Sequence, residues 1–296
     1  MADPEIIRLR EIIAARPRAW EIAQMRIDAD ERSKAFVLPA DVTVQPVIAN
    51  GVKAEWTSTP DADPSSVILY LHGGGYVICS LDSHRHLVAE AGRAARTRTL
   101  AIDYRLAPEH PFPAPVQDTV AAYRYLLDSG IKPHRIALAG DSAGGGLVVA
   151  ALLAIRQAGL PLPACGWCIS PWVDMEALGA SFVDRAETDP TVQKATILMM
   201  AQWYLGGADP RHPHAAPIYG DLRGLPPLLI QVGAAETLLD DSIALARKAG
   251  MADVPVDLQI WPEMIHIWHI FFPMLSAGRR AIAEGGSFVR NAVRAE

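Results

Sequence analysis

The sequence predicts an α/β domain, with a mostly parallel eight-stranded sheet covered by helices on both faces. Three observations predict it. Short, continuous apolar runs such as Val67 to Leu71 have the length and character of strands covered on both sides. Those runs alternate with longer segments of helical length, the rhythm of repeated β–α units. At the start of the rhythm Asn50-Gly51 joins two strand-like runs, the strongest short hairpin signal, so the sheet opens with an antiparallel pair.

The elements follow in order. Residues 1 to about 38 read as amphipathic helix, with Ile6, Leu9, Ile12 and Ile13 on one stripe and Pro17 as a breaker. Val42 to Ala49 and Val52 to Ser58 are the arms of the hairpin, and Val67 to Leu71 is the first buried strand. His84 to Arg96 reads as a helix, Thr99 to Asp103 as a strand and Ala114 to Leu127 as a helix. Ile136 to Ala139 is the next strand, Gly145 to Ile155 a buried Ala/Leu-rich helix, and Ala164 to Ile169 a strand. Met175 to Leu225 breaks the rhythm with a Met- and aromatic-rich segment, Ile197 to Leu205, and a loop rich in Pro, His and Gly. Pro227 to Val232 then resumes as a strand, Leu239 to Lys248 as a helix, Val256 to Trp261 as a strand and Ala277 to Val293 as a closing helix. The domain reading is an N-terminal cap over residues 1–40 and an α/β domain over 41–296, with a cap insertion at about 175–215.

Composition narrows the functional classes. A chain of 296 residues, 50% hydrophobic and 20% charged, supports one large core and argues against disorder. A net charge of −6 argues against nucleic acid or an anionic membrane as the main partner. No apolar run reaches membrane-spanning length, and Met1-Ala2-Asp3-Pro4-Glu5 is acidic where a secretory leader is basic, so a cytoplasmic protein is expected. Three cysteines make no disulfide framework. Cys165-Gly166-Trp167-Cys168 matches a redox spacing, but on a strand residues three apart point to opposite faces, so buried, separate thiols are expected.

Gly140-Asp141-Ser142-Ala143-Gly144 lies between a strand-like run and a helical one. A serine flanked two residues either side by glycine at such a turn is a nucleophile elbow. The turn strains the serine backbone, and a Cβ at either glycine would crowd it. A serine needs a base to take its proton and donors to hold the oxyanion that its attack creates. His72-Gly73-Gly74-Gly75-Tyr76 follows directly on the strand Val67 to Leu71. Its glycines let backbone N–H groups turn inward, so Gly74, Gly75 and Ala143 are the expected donors. A phosphate loop is excluded there, because no Lys-Ser/Thr follows the glycines and no Gly-x-Gly-x-x-Gly spacing occurs.

These segments resemble the bacterial hormone-sensitive-lipase-like esterases, family IV of the α/β-hydrolases. The resemblance rests on His72 to Tyr76, Asp103 to Ala114 (DYRLAPEHPFPA), Gly140 to Gly145, Ser170-Pro171-Trp172, Leu225-Pro226-Pro227 and Met264-Ile265-His266, in family order. It runs from about residue 50 to the C-terminus, and the pattern is also similar to monoterpene-lactone hydrolases. It implies an α/β-hydrolase fold with a helical cap and a serine carboxylesterase acting on short-chain acyl esters, without metal or organic cofactor. A lactone hydrolase or amidase with the same triad is the alternative, and a non-catalytic ligand-binding hydrolase fold a further one. The partner implied is a small ester or lactone substrate, and a homodimer through an edge strand follows from the same analogy.

The fold orders its triad as serine, acid, histidine, so the base comes late. Of nine histidines only His266 and His269 follow the last strand; His266 matches the family histidine and His269 reads as packing. His84, His86 and His110 read as structural hydrogen-bonding groups, and His212 with His214 lacks further ligands at metal spacing. For the acid the family has an aspartate where this chain has Glu236, four residues before Asp240. Glu236 lies nearest the strand end, where loops gather a site. Asp240 and Asp241 fall on the following helix, where an acid serves the helix dipole. Glu236 is the expected acid, with Asp240 the alternative.

Overall fold

A computed structural model describes residues 3–16 and 19–294. Pro17, the expected breaker, and Met1-Ala2 lie outside the described residues.

Eight strands form one sheet: β1 (Thr43–Ala49), β2 (Val52–Ser58), β3 (Asp63–Leu71), β4 (Thr97–Ile102), β5 (Ile136–Asp141), β6 (Cys165–Ile169), β7 (Leu228–Gly233) and β8 (Val256–Trp261). Their spatial order is β1-β2-β4-β3-β5-β6-β7-β8. β1 and β2 pair antiparallel around Asn50-Gly51, both at positive φ, and β2 is antiparallel to β4. Every pair from β4 across to β8 is parallel. The expected mostly parallel sheet with an antiparallel start is what the chain builds.

The helices are α1 (Pro4–Ala14), α2 (Ile22–Ser33), α3 (Leu81–Ala95), α4 (Ala114–Asp128), α5 (Ala143–Gln157), α6 (Ser181–Asp184), α7 (Lys194–Leu205), α8 (Leu239–Met251) and α9 (Ser276–Arg294). Alternation along the strands assigns the two faces. Leu69, Leu71 and Leu138 pack with α4, α5 and α8, whereas Ile68, Tyr70, Ala137 and Ala139 pack with α3 and α9. Cys168 belongs to the first layer and Cys165 to the second, so the two buried thiols face opposite sides of the sheet, as their spacing requires. Burial pushes both thiols well up, Cys165 to about 12.

Of the expected N-terminal stripe, Ile6 and Leu9 bury against Met264, Ile265, Trp268 and Ala235 with Ile13 packed against the same cluster, while Ile12 stays outside it and, with Ile13, lines a cavity. Each buried aliphatic side chain contributes about 1.5–3 kcal/mol, which docks a helix too short to hold alone. Among the described residues no helix is long and apolar enough to cross a membrane.

Candidate active site

Parallel strands deliver their carboxyl ends to one edge of the sheet, and the loops leaving β3, β5, β6, β7 and β8 meet there. Ser142 follows the last residue of β5 and precedes α5, at φ 55 and ψ −121. A non-glycine residue at positive φ is strained, and here the surroundings hold it. The Ser142 N–H donates to the Ile169 carbonyl at 2.8 Å, and its carbonyl accepts from Gly146 and Trp172 at 3.1 and 2.9 Å. A Cβ on Gly144 would strike the Leu71 carbonyl oxygen, and one on Gly140 the Gly144 carbonyl. Both glycines are therefore required by space, since neither has positive φ.

His266 bridges the serine and the glutamate. Its Nε2 lies 2.9 Å from Ser142 Oγ and its Nδ1 2.9 Å from Glu236 Oε2. Glu236 is fully buried, and its other oxygen, Oε1, accepts from the Gly233 N–H at 2.6 Å and from Ser170 Oγ at 2.7 Å. Burial pushes the Glu236 carboxyl up, against the hydrogen bonds from His266 and Gly233. Burial alone would lower His266, but the Glu236 carboxylate at its Nδ1 reverses this and raises it above 6.5. Gly233 is needed because a Cβ there would strike the Met264 carbonyl oxygen, so this glycine too answers to space rather than to flexibility.

Asp240, the alternative acid, is engaged elsewhere. Its Oδ2 accepts from the Ser181 N–H at 2.9 Å at the start of α6. Asp241, beside it, is buried and accepts from the Val173 and Asp174 N–H groups at 2.9 and 3.0 Å; burial raises it to about 7.

The glycine loop after β3 folds against this line. Gly74 and Gly75 take φ +106 and +62, which only glycine adopts without strain. The Gly74 carbonyl accepts from Val77 and Ile78, and Tyr104 Oη donates to the His72 carbonyl at 2.7 Å. Gly74, Gly75, Ser142 and His266 line one cavity of ≈ 970 Å³. The N–H groups of Gly74, Gly75 and Ala143 donate to no acceptor among the described residues. Asp141, buried next to the serine, accepts from Tyr70 Oη at 2.9 Å and contacts His84 Nε2 at 3.1 Å, tying the elbow to the adjoining strand and to α3.

The remaining expectations divide. His84 is hydrogen bonded as described, and His86 meets the Ile270 carbonyl at 3.0 Å. His110, expected to be a structural hydrogen-bonding group, is instead exposed, and its ring has no hydrogen-bond partner among the described residues. His269 packs fully buried, its Nε2 3.0 Å from Gln231 Oε1, and burial lowers it to about 3. His212 and His214 lie ring to ring at 5.4 Å; among the described residues no group of three potential ligands is placed to hold a metal. Of Met199, Met200, Trp203 and Tyr204, the bulky residues of the Met- and aromatic-rich segment, only Met200 lines the cavity. Gln193, at the N-cap, and Thr196, Ile197 and Met200 of α7 line the cavity, whereas Met199 and Trp203 do not. Tyr204 instead stacks on Tyr76 with ring centroids 3.8 Å apart. Sequence reasoning gave Ser170 no role, although it directly follows β6 at the same sheet edge.

Comparison with known proteins places this geometry in context. A family model described as the alpha/beta hydrolase fold matches residues 68–270. The chain is 49% identical over 298 residues to the acetyl-hydrolase of Streptomyces hygroscopicus, covering 99% of this chain and 98% of the relative. It is similar to the crystal structure of an esterase from the bacterial hormone-sensitive lipase (HSL) family, with TM-score 0.96, 51% identity and 99% coverage of both chains. EstE5 soaked with p-nitrophenyl butyrate gives TM-score 0.96 at 48% identity, covering 99% of this chain and 100% of that one.

Proposed function

The chain belongs to the alpha/beta hydrolase fold family, among the bacterial hormone-sensitive-lipase-like esterases, and from that membership we propose a serine carboxylesterase that cleaves short-chain acyl esters through an acyl-enzyme. The observation that carries the proposal is the continuous hydrogen-bonded line from Ser142 Oγ through His266 to Glu236, at the wall of a cavity that also presents the Gly74–Gly75 loop. Ser142 Oγ attacks the ester carbonyl while His266 Nε2 takes its proton; Glu236 keeps Nδ1 protonated and offsets the charge of the imidazolium. The N–H groups of Gly74, Gly75 and Ala143 hold the oxyanion, each contributing roughly 3–4 kcal/mol to the transition state. Collapse expels the alcohol with the proton from His266. Water, deprotonated by the same ring, then releases the acid and regenerates Ser142.

The N-terminal 40 residues and the segment at 175–215 serve as the cap over the substrate. Supporting this, Ala29 of α2 and Met200 of α7 both line the cavity, and a Cβ on Gly75 would strike Met200 Sδ. A wall so close to the oxyanion loop favours small acyl groups. On a p-nitrophenyl ester series with lactones included, the maximum kcat/KM is expected at acyl chains of about two to eight carbons. A maximum on long-chain emulsified triglycerides would overturn that.

The base imposes a pH dependence. His266 acts only when neutral, and its raised value keeps the ring protonated to a higher pH than free imidazole. The acid limb of kcat/KM, which belongs to the coupled His266–Glu236 pair, is therefore expected above pH 6.5, with activity lost as pH falls through it. A pH profile of p-nitrophenyl butyrate hydrolysis with its acid limb below 6.5 would contradict the assignment.

A further inference from the structure

Residues 181–192, whose later part lines the cavity, grip the peptide groups on both sides of Glu236. Thr188 Oγ1 donates to the Ala235 carbonyl at 3.1 Å, and Ser181 Oγ to the Thr237 carbonyl at 2.6 Å. Asp189 makes the third contact. It is 1% exposed, yet its segment forms part of the cavity wall. Oδ1 accepts from the N–H groups of Thr191 and Val192 at 2.9 and 3.1 Å. Oδ2 accepts from the Thr237 N–H at 3.0 Å and the Thr237 hydroxyl at 3.3 Å. Two acceptor oxygens are needed, one facing its own loop and one facing the residue after Glu236, and only a carboxylate supplies both.

Building on the triad assigned above, we propose that Asp189 is a positioning residue for ester hydrolysis. It fixes the Glu236 loop from the cavity roof and adds negative charge behind His266 when that ring takes the Ser142 proton. Three carboxylates act on the ring, Glu236 most strongly, then Asp189 and Asp141; His269, on the same loop, is held neutral by burial. The roof of the cavity and the loop of the acid are thus one mechanical unit. A displacement of about 1 Å in a positioning group is enough to cost on the order of 100-fold in rate.

The test is Asp189→Asn in the full chain, alone and combined with Glu236→Gln, on p-nitrophenyl butyrate, with melting temperature checked. The amide would turn its NH₂ toward the Thr237 N–H, releasing the acid side of the contact. Asp189→Asn is expected to lower kcat about 30–100-fold with KM within about threefold, and to move the acid limb of the pH profile down. In the Glu236→Gln background the positioning through Glu236 is already lost and only the direct charge of Asp189 on His266 remains, so the same change is expected to cost less than about threefold. If Glu236→Gln is crippled while folded Asp189→Asn matches wild type, or if the two deficits multiply in full, this proposal falls and the triad stands. A wild-type-like Glu236→Gln removes the triad assignment and this proposal together. Should Asp189→Asn not fold, Thr237→Val withdraws one donor at nearly constant volume; it is expected to cost about threefold to tenfold in kcat with the same non-additivity, and wild-type kcat there overturns the proposal.

Discussion

Ser142→Ala is expected to lower kcat for p-nitrophenyl butyrate by roughly 10⁵–10⁶-fold while leaving the fold intact. Among the described residues the side chain makes one hydrogen bond, to His266, and the other hydrogen bonds of Ser142 are made by its backbone. Alanine keeps the Cβ that the turn already accommodates at φ 55, so the strain of the elbow is unchanged. Melting temperature is accordingly expected to shift by no more than about 3 °C, the equivalent of about 1 kcal/mol in a chain of this size. Some rate above the uncatalysed one survives, because the oxyanion donors remain. Activity within tenfold of wild type, in protein freed of host esterase, would remove Ser142 from its role. An organophosphate that labels wild-type protein at this residue, read by peptide mass, is the positive counterpart.

What could be read in advance follows a physical divide. The hairpin at Asn50-Gly51, the elbow glycines and the buried strands are local: a two-residue turn, a steric limit and a run of apolar residues each fix their own neighbourhood. The separation of Cys165 and Cys168 was likewise legible, because strand periodicity alone decides it. Ser170 and Asp189 were not. Each becomes meaningful only when strand order brings β6 beside β7 and the 181–192 segment back over residue 237, contacts spanning 66 and 48 positions. Which residues of α7 reach the cavity was illegible for a related reason. Its residues are apolar on nearly every side, so composition does not say whether Met200 or Trp203 faces the cavity.

The acid was the position where this chain departs from the family pattern, and it yields a sharp ranking. Both oxygens of Glu236 are assigned by their neighbours. Oε1 is locked by two donors, the Gly233 N–H and the Ser170 hydroxyl, leaving Oε2 to face His266 Nδ1. In Glu236→Gln the amide oxygen must therefore take the Oε1 position, and the NH₂ group points at Nδ1. A donor there selects the tautomer with its proton on Nε2, which cannot accept from Ser142 Oγ. The imidazolium also loses its counter-charge. The expected result is a fall in kcat of roughly 10³–10⁴-fold with the protein still folded, the scale set by removing the acid of a serine triad. Asp240→Asn meets a different situation: its Oδ2 serves the Ser181 N–H, and an amide oxygen accepts that bond equally well, so kcat within about threefold of wild type is expected. The reverse ranking would transfer the acid to Asp240. With Glu236 Oε2 at 2.9 Å from the ring and Asp240 bound to α6, the geometry favours Glu236.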